Sequence, residues 1–168
     1  MIYPIPRILQ QKLDDQSLAR PANAIRGRKN YKQGEVAQDL FELRLRALGV
    51  LMVERIHTPW KIVRHPVTRK IVNAIQMEKV SGDFRGILPG GRSVLVEVKS
   101  CDHLVFSAFA DHQVKALNDH LNFGGVSWIG WKWPTGDALL QWPVPGFLPR
   151  TSLPIEHAQR FNITRIHL

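Results

Sequence analysis

Three residues in one short stretch of the chain have side chains suited to hydrolytic chemistry. Asp83 precedes a Pro-Gly-Gly turn, and Glu97 and Lys99 follow it on a run rich in Val and Leu. Asp83 and Glu97 are equally far from Gly90, so a turn that is symmetric about this glycine places them opposite each other. Facing residues of an antiparallel pair share a face, and alternation puts Lys99 on the same face as Glu97. The sequence predicts two carboxylates and an ammonium side by side.

Two facing carboxylates destabilise a sheet unless a proton or a cation lies between them. Mg²⁺ suits the pair formed by Asp83 and Glu97, since water and substrate phosphate complete its ligand shell, and Mn²⁺ is expected to substitute. Lys99 would then stabilise the charge that develops on the attacking water or on phosphorus. Taken singly, these features are commoner as a solvated strand face or a turn dipeptide. Their combination favours a metal site.

Composition bounds the class of protein. The chain has 168 residues, enough for one domain, and its 23 Lys and Arg against 14 Asp and Glu give a net charge of +9. This excess favours a polyanionic partner, with an anionic membrane surface or a solubility surplus as alternatives.

Cys101 is the only cysteine, which excludes an intrachain disulfide. No apolar run is long enough to span a bilayer and no signal peptide is recognisable, so we expect a cytoplasmic protein without a membrane partner.

The hydrophobic pattern predicts a helix before the hairpin and another after it. Apolar residues recur with the helical period from Gly34 to Gly49, and a second helix is expected from about Ser107 to Leu121. Strands are expected at VLMVERI, at both arms of the hairpin (84–88 and 92–99), at GGVSWIGWKW and at DALLQW. This order of elements indicates an α/β domain with a mixed sheet.

Basic residues concentrate in two further segments. Residues 1–32 are expected to form a basic, flexible arm, and residues 33–168 a single domain. Residues 60–80 alternate apolar pairs with basic residues, which suits either extended strands or a short helix, and we interpret them as a basic protrusion. Phosphate contacts are expected from the arm, the protrusion and the hairpin, namely from Arg26, Arg28, Lys29, Lys61, Arg64, Arg69, Lys70 and Arg85.

The stretch GDFRG followed by EVK resembles the core of the PD-(D/E)XK nucleases. More narrowly, the chain is similar to the RecU-type Holliday junction resolvases and their phage relatives. Four features carry this resemblance: GE at the start of a helix, VERIHTPWKIV, the hairpin, and HQVKAL followed by GGVSWIG. They lie between about residues 30 and 133. The resemblance implies a restriction-endonuclease-like core, a central mixed β-sheet flanked by helices.

The resemblance also implies roles for individual residues. Asp83 and Glu97 match the metal-binding carboxylates, Lys99 the residue that assists the water, and Gln113 the polar residue on the following helix. Gln113 flanks the Leu117 face of that helix, so its side chain is expected to point inward. Glu35 matches a supporting acidic residue, although its place on the polar stripe of the first helix is equally consistent with a solvated side chain.

The predicted function follows from these roles. It is a homodimeric, metal-dependent, structure-selective endonuclease that resolves four-way DNA junctions by paired phosphodiester hydrolysis. Two alternatives stay open at this point. One is another PD-(D/E)XK nuclease of repair or restriction, and the other is a junction-binding protein without catalysis.

Overall fold

The computed structural model describes residues 30–57, 60–69, 71–76 and 82–166. The chain divides into two units, Met1–Val36 and Ala37–Leu168. Of the first unit only residues 30–36 are described, and they are helical. The predicted arm therefore lies almost wholly outside the described residues. Within the described part, no helix has the length and hydropathy needed to cross a membrane.

Three helices and nine strands make up the described residues. The helices are α1 (30–47), α2 (Asp111–Asn122) and α3 (Ile155–Arg160), with a short 3-10 helix at Phe106–Ala108. The strands are β1 (Leu51–Arg55), β2 (Trp60–Arg64), β3 (Ile71–Gln76), β4 (Phe84–Ile87), β5 (Ser93–Ser100), β6 (Leu104–Val105), β7 (Val126–Trp133), β8 (Gly136–Gln141) and β9 (Ser152–Leu153).

The central sheet is five-stranded and mixed, with the order β1-β4-β5-β7-β8. Strands β5 and β7 run parallel, and the other neighbouring pairs are antiparallel. A parallel pair needs a long crossover connection, and here the segment that contains α2 supplies it. The predicted α/β architecture, a mixed sheet flanked by helices, is confirmed.

Two hydrophobic cores cover the two faces of this sheet. On one face, Phe41 and Leu45 of α1 pack with Phe84, Val96 and Trp128. The ring of Phe41 lies where a Cβ at residue 130 would be, at 2.9 Å, so a glycine is required there for the helix to approach β7. The other face carries Leu117 of α2 with an aromatic cluster: Phe109, Trp131, Trp133, Trp142 and Phe147. The central strand β5 is thus covered on both sides.

The hairpin forms in the predicted register. Phe84 pairs with Val96 and Ile87 with Ser93, so paired residues are equally distant from Gly90. The turn closes through a hydrogen bond from the Leu88 N–H to the Arg92 carbonyl at 2.8 Å. Local turn chemistry and strand alternation were sufficient to predict this part of the fold.

The predicted start of each helix is wrong by several residues. Helix α1 already includes residues 30–33, before Gly34, and it ends as predicted before Gly49, which has φ +86°. The segment from Ser107 first makes a 3-10 turn and then an extended residue, Ala110, so α2 begins only at Asp111. The side chain of Gln113 accepts the Ala110 N–H at 3.0 Å, which satisfies a donor that the helix start leaves free.

Residues 60–64 and 71–76 form strands rather than a helix. Strands β2 and β3 pair in antiparallel fashion as a two-stranded sheet separate from the central one, with Trp60 opposite Gln76. Residues 70 and 77–80 of the predicted protrusion lie outside the described residues. A third small sheet joins β6 and β9.

Candidate active site

Asp83 lies where the chain enters β4, between β1 and β5. Its N–H donates to the Val96 carbonyl at 2.7 Å, and its own carbonyl accepts the Ile56 N–H at 2.8 Å. Gly82, with φ +83°, makes the turn into the strand, and a Cβ there would lie 2.5 Å from Leu95 Cδ1. Backbone contacts on both sides therefore hold Asp83 in place.

The Asp83 carboxylate is held by donors from two elements. Its Oδ1 accepts the side-chain amide of Gln38 on α1 at 2.6 Å, and its Oδ2 accepts the Val98 N–H of β5 at 2.7 Å. The ladder between β4 and β5 stops at Phe84. Asp83 is therefore not a ladder partner of Glu97, contrary to the prediction. The physical reason is that the Val98 N–H of β5 donates to the Asp83 side chain and not to a backbone carbonyl of the chain that leads into β4.

Glu97 is almost fully buried on β5, on the face covered by α2. Its side chain is 4% exposed. Its Oε1 forms an ion pair with the Lys99 ammonium at 2.9 Å and accepts a hydrogen bond from the Gln113 side-chain amide. Burial, followed by the charge of Asp83, raises the pKa of Glu97 to about 7, although Lys99 opposes this rise. Burial also raises the pKa of Asp83, against the Val98 N–H and the Lys99 charge. The pair thus resists carrying two negative charges without a cation.

Lys99 and Gln113 complete the cluster on the same face. The Lys99 ammonium donates to Gln113 Oε1 at 2.9 Å and lies 5.0 Å from the centre of the Phe109 ring. The Gln113 amide therefore connects Glu97 to Lys99, with one end on each. Since the Lys99 side chain is only 17% exposed, its charge acts in a partly desolvated setting. Gln113 points inward, as its helical position predicted.

The structure places Glu35 differently from these residues. It is exposed on α1, in the first unit, where its interaction with Tyr31 raises the pKa of that phenol. A supporting role for Glu35 stays a prediction.

The residue of α1 that contacts the carboxylates is Gln38, which the sequence analysis missed. A polar amide one helical turn beyond Glu35, beside the buried Ala37 and Phe41, was the available signal. The position of Gln38 on the helix did not by itself identify Asp83 as its hydrogen-bond partner.

The predicted phosphate contacts are only partly visible. Lys61, Arg64 and Arg69 are exposed on the β2–β3 hairpin, and Arg64 donates to the Arg69 carbonyl at 3.2 Å. Arg85 is exposed but pairs with Glu54 at 2.8 Å. The remaining four, Arg26, Arg28, Lys29 and Lys70, lie outside the described residues.

Arg55 is a second residue that the sequence analysis missed. It pairs with Asp39 and Glu42 of α1 at 2.7 and 3.0 Å and lies over the Phe84 ring. Its charge also lowers the pKa of Asp83. Arg55 therefore ties β1 to α1 immediately behind the carboxylate pair.

The donor chemistry of the cluster fits a hard divalent cation. Asp83 and Glu97 offer carboxylate oxygens, and no group of three His, Cys, Asp or Glu side chains suited to a metal occurs among the described residues. A set of two carboxylates leaves several positions for water and phosphate oxygens, which is the usual arrangement for Mg²⁺. Burial raises the pKa of both carboxyl groups, and the charge of Asp83 adds to the rise at Glu97, so a bound cation would stabilise their ionised forms.

Comparison with known proteins points to one family. The family model for Recombination protein U matches residues 40–139, which contain Asp83, Glu97, Lys99 and Gln113. No curated protein matches this chain in sequence. Among solved structures, Hjc, a Holliday junction resolvase from the archaeal hyperthermophile Archaeoglobus fulgidus, is similar with a TM-score of 0.47 and 14% identity, over 76% of this chain and 93% of that one.

Proposed function

The chain belongs to the Recombination protein U family of Holliday junction resolvases, and we propose that it is a Mg²⁺-dependent endodeoxyribonuclease that cuts four-way DNA junctions. Resolvases of this family depend on divalent metal ions and bind branched DNA. The observation that carries the proposal is the pair formed by the half-buried Asp83 and the buried Glu97 beside the fixed ammonium of Lys99. Its natural setting would be the cytoplasm of a bacterial or phage-infected cell.

Asp83 and Glu97 would hold the metal ion. When bound, such an ion supplies Lewis acidity at the scissile phosphate and makes water a better nucleophile at neutral pH. Asp83 keeps its orientation through the Gln38 amide and the Val98 N–H. Glu97 keeps its own through the Gln113 amide. These donors would fix the two carboxylates before substrate arrives, so that little reorganisation accompanies the reaction.

Lys99 would provide the positive charge nearest the reacting oxygens. Its ammonium is anchored by Gln113 Oε1 and Glu97 Oε1, both at 2.9 Å, which leaves one of its three donors for substrate or water. The Phe109 ring beside it limits access of bulk solvent. A fixed cation in a partly desolvated site stabilises charge that develops on a phosphoryl group in the transition state.

The wider assembly follows from the symmetry of the substrate. A four-way junction requires two symmetric cuts, and a two-fold pair of this chain would present two equivalent sites. The exposed Lys61, Arg64 and Arg69 of the β2–β3 hairpin, together with the basic arm, would contact phosphates. Arg85 would join them by exchanging Glu54 for a phosphate.

Substrate competition tests the proposal. An end-labelled four-way junction and a linear duplex of equal length are mixed with the protein in Mg²⁺ or in EDTA. We expect paired symmetric nicks on the junction, much slower cutting of the duplex, and no cutting in EDTA. Equal cutting of both substrates would identify a nuclease of repair or restriction type. Junction binding without cutting in Mg²⁺ or Mn²⁺ would identify a binding protein.

A further inference from the structure

A second charged region lies at the other end of the second unit. A pocket of about 380 Å³ is bounded by the turn between β4 and β5, the ends of β7 and β8, and the segment that follows α3. Three arginines line it, Arg92, Arg160 and Arg165, together with Gln141 and Thr164. Among the residues that the structure describes, no acidic side chain lines the pocket.

The pocket is separate from the carboxylate cluster. Arg92 precedes Glu97 by five residues of an extended strand, which corresponds to roughly 16 Å. The apolar residues at its base, among them Trp128 and Ile163, belong to the core on the α1 face, whereas Glu97 lies on the α2 face. A ligand bound in this pocket would thus contact neither of the two proposed catalytic carboxylates.

The arginines in the pocket have no carboxylate partner in the described part of the chain. All three are exposed, and within residues 82–166 and the other described ranges none forms an ion pair with a carboxylate. By contrast Arg44, Arg46, Arg55 and Arg85 all pair with Asp or Glu. Three like charges around one concavity repel each other and favour an anion, and the guanidinium fork matches phosphate oxygens.

The wall of the pocket is anchored rather than loose. The Ile163 N–H donates to the Leu139 carbonyl of β8 at 2.7 Å, and Asn162 Oδ1 accepts the Leu139 N–H at 2.9 Å. Arg44 of α1 donates to Asn162 Oδ1 at 2.5 Å and to the Ile163 carbonyl at 3.1 Å. The segment after α3 is therefore attached to both the sheet and α1, which holds the pocket open.

Besides Trp128, a second aromatic ring lines the pocket, that of Phe161. Phe161 is 38% exposed although it is a large apolar side chain, and Arg160 lies 5.7 Å from its ring centre. The His157 ring packs against part of Phe161, with ring centres 4.6 Å apart, and the part of the ring that stays exposed beside unpaired arginines suits a nucleotide, since a base contacts the ring while the arginines bind the phosphate. We propose that this pocket binds one nucleotide unit of an unpaired nucleic-acid strand. A free mononucleotide has the same chemistry and is the alternative source.

Equilibrium binding of a short fluorescein-labelled oligothymidylate tests this proposal, with anisotropy measured in EDTA at constant salt. Arg92→Gln and Arg165→Gln should each weaken binding about tenfold, and Phe161→Leu about fivefold or more. Lys115→Gln removes the same charge from the exposed face of α2 and should have an effect of less than about twofold. Arg165→Lys should fall between the wild type and Arg165→Gln, because it keeps the charge but loses the fork.

Thymidine 5′-monophosphate as a competitor separates the two sources. Weak displacement would support a strand, and tight displacement that is lost in the same variants would support a free nucleotide in the same pocket. If Arg92→Gln, Arg165→Gln and Phe161→Leu match Lys115→Gln with both probes, and their thermal unfolding midpoints equal that of the wild type, the proposal is overturned.

The proposal does not depend on the proposed nuclease function. A wild-type protein that never nicks a junction would contradict the nuclease and leave this pocket standing. If the junction is nicked normally and the pocket variants bind both the oligonucleotide and thymidine 5′-monophosphate like the wild type, the nuclease stands and the pocket proposal is contradicted.

Discussion

The two ends of strand β5 carry charge in opposite ways. At the carboxyl end, Glu97 and Lys99 are of opposite sign, nearly buried, and held by protein donors. At the amino end, Arg92 lies with Arg160 and Arg165, all of one sign, exposed and without ion-pair partners among the described residues. Buried charges require fixed partners, whereas exposed ones are neutralised by water and mobile ions. We therefore propose chemistry at the first end and ligand binding at the second.

The largest contrast between the two ends should come from the carboxylates. Asp83→Asn and Glu97→Gln should each slow single-turnover junction cleavage by at least about a thousandfold, since the metal ion that they would hold is expected to stabilise the transition state by several kcal/mol. Glu156→Gln, an exposed carboxylate on α3, should cut like the wild type. Comparable losses in Arg92→Gln would break the division between the two ends.

Lys99→Met should have the next largest effect. The ammonium is one preorganised group acting on the transition state, so a loss of about a hundredfold in the cleavage rate constant is expected. Junction affinity and the metal concentration for half-maximal rate should change little, because Lys99 is not a metal ligand in this account. A variant that cuts normally would show that Lys99 only neutralises Glu97.

The pH dependence of stability should differ between wild type and Glu97→Gln. The pKa of Glu97 rises from 4.5 to about 7 on folding, so across this window the metal-free folded protein retains a proton that the unfolded chain has lost. Its free energy of unfolding should therefore fall as pH increases through the window, by at most about 1.4 kcal/mol per pH unit.

Urea denaturation of the protein in EDTA at several pH values measures this slope. In Glu97→Gln most of it should vanish, because the titrating group is gone. Mg²⁺ should reduce the slope in the wild type, since the ion replaces the proton. An identical slope in Glu97→Gln would mean that another group titrates there.

The smallest effects should come from the two amides that position the carboxylates. Gln38→Leu removes a donor to Asp83 and should raise the Mg²⁺ concentration for half-maximal rate by about tenfold. Gln113→Leu separates Glu97 from Lys99 and should lower the rate constant by about the same factor. Gln159→Leu on α3 is the matched control. Lower thermal stability with an unchanged metal requirement would assign both amides a merely structural role.

Local sequence rules predicted the hairpin but not all of its surroundings. The Pro-Gly-Gly turn and period-two alternation specify the register of β4 on β5 and the shared face of Glu97 and Lys99, because both depend on neighbouring residues. Gln38 contacts Asp83 across 45 residues of chain, a contact that exists only once α1 packs on the sheet. Helix periodicity placed Gln113 inward. Its two partners, Glu97 and Lys99, could not be predicted, because they depend on how α2 packs against β5.

The pocket with three arginines shows a different limit of sequence reasoning. Arg92, Arg160 and Arg165 are dispersed in the chain, and each alone resembles any surface arginine. The return of the segment after α3 to the edge of β8 brings them together. Net charge predicted a polyanionic partner but not this location.

The most direct test of the central claim, that Asp83 and Glu97 form the metal site, is Mn²⁺ binding. Water proton relaxation is followed as Mn²⁺ is added to Lys99→Met protein bound to a four-way junction, a background in which cutting is slow. We predict one class of Mn²⁺ sites per chain. It should disappear in the double variant that combines Lys99→Met with Asp83→Asn, and it should persist when Lys99→Met is combined with Glu156→Gln. Identical titrations in all three proteins would contradict the account.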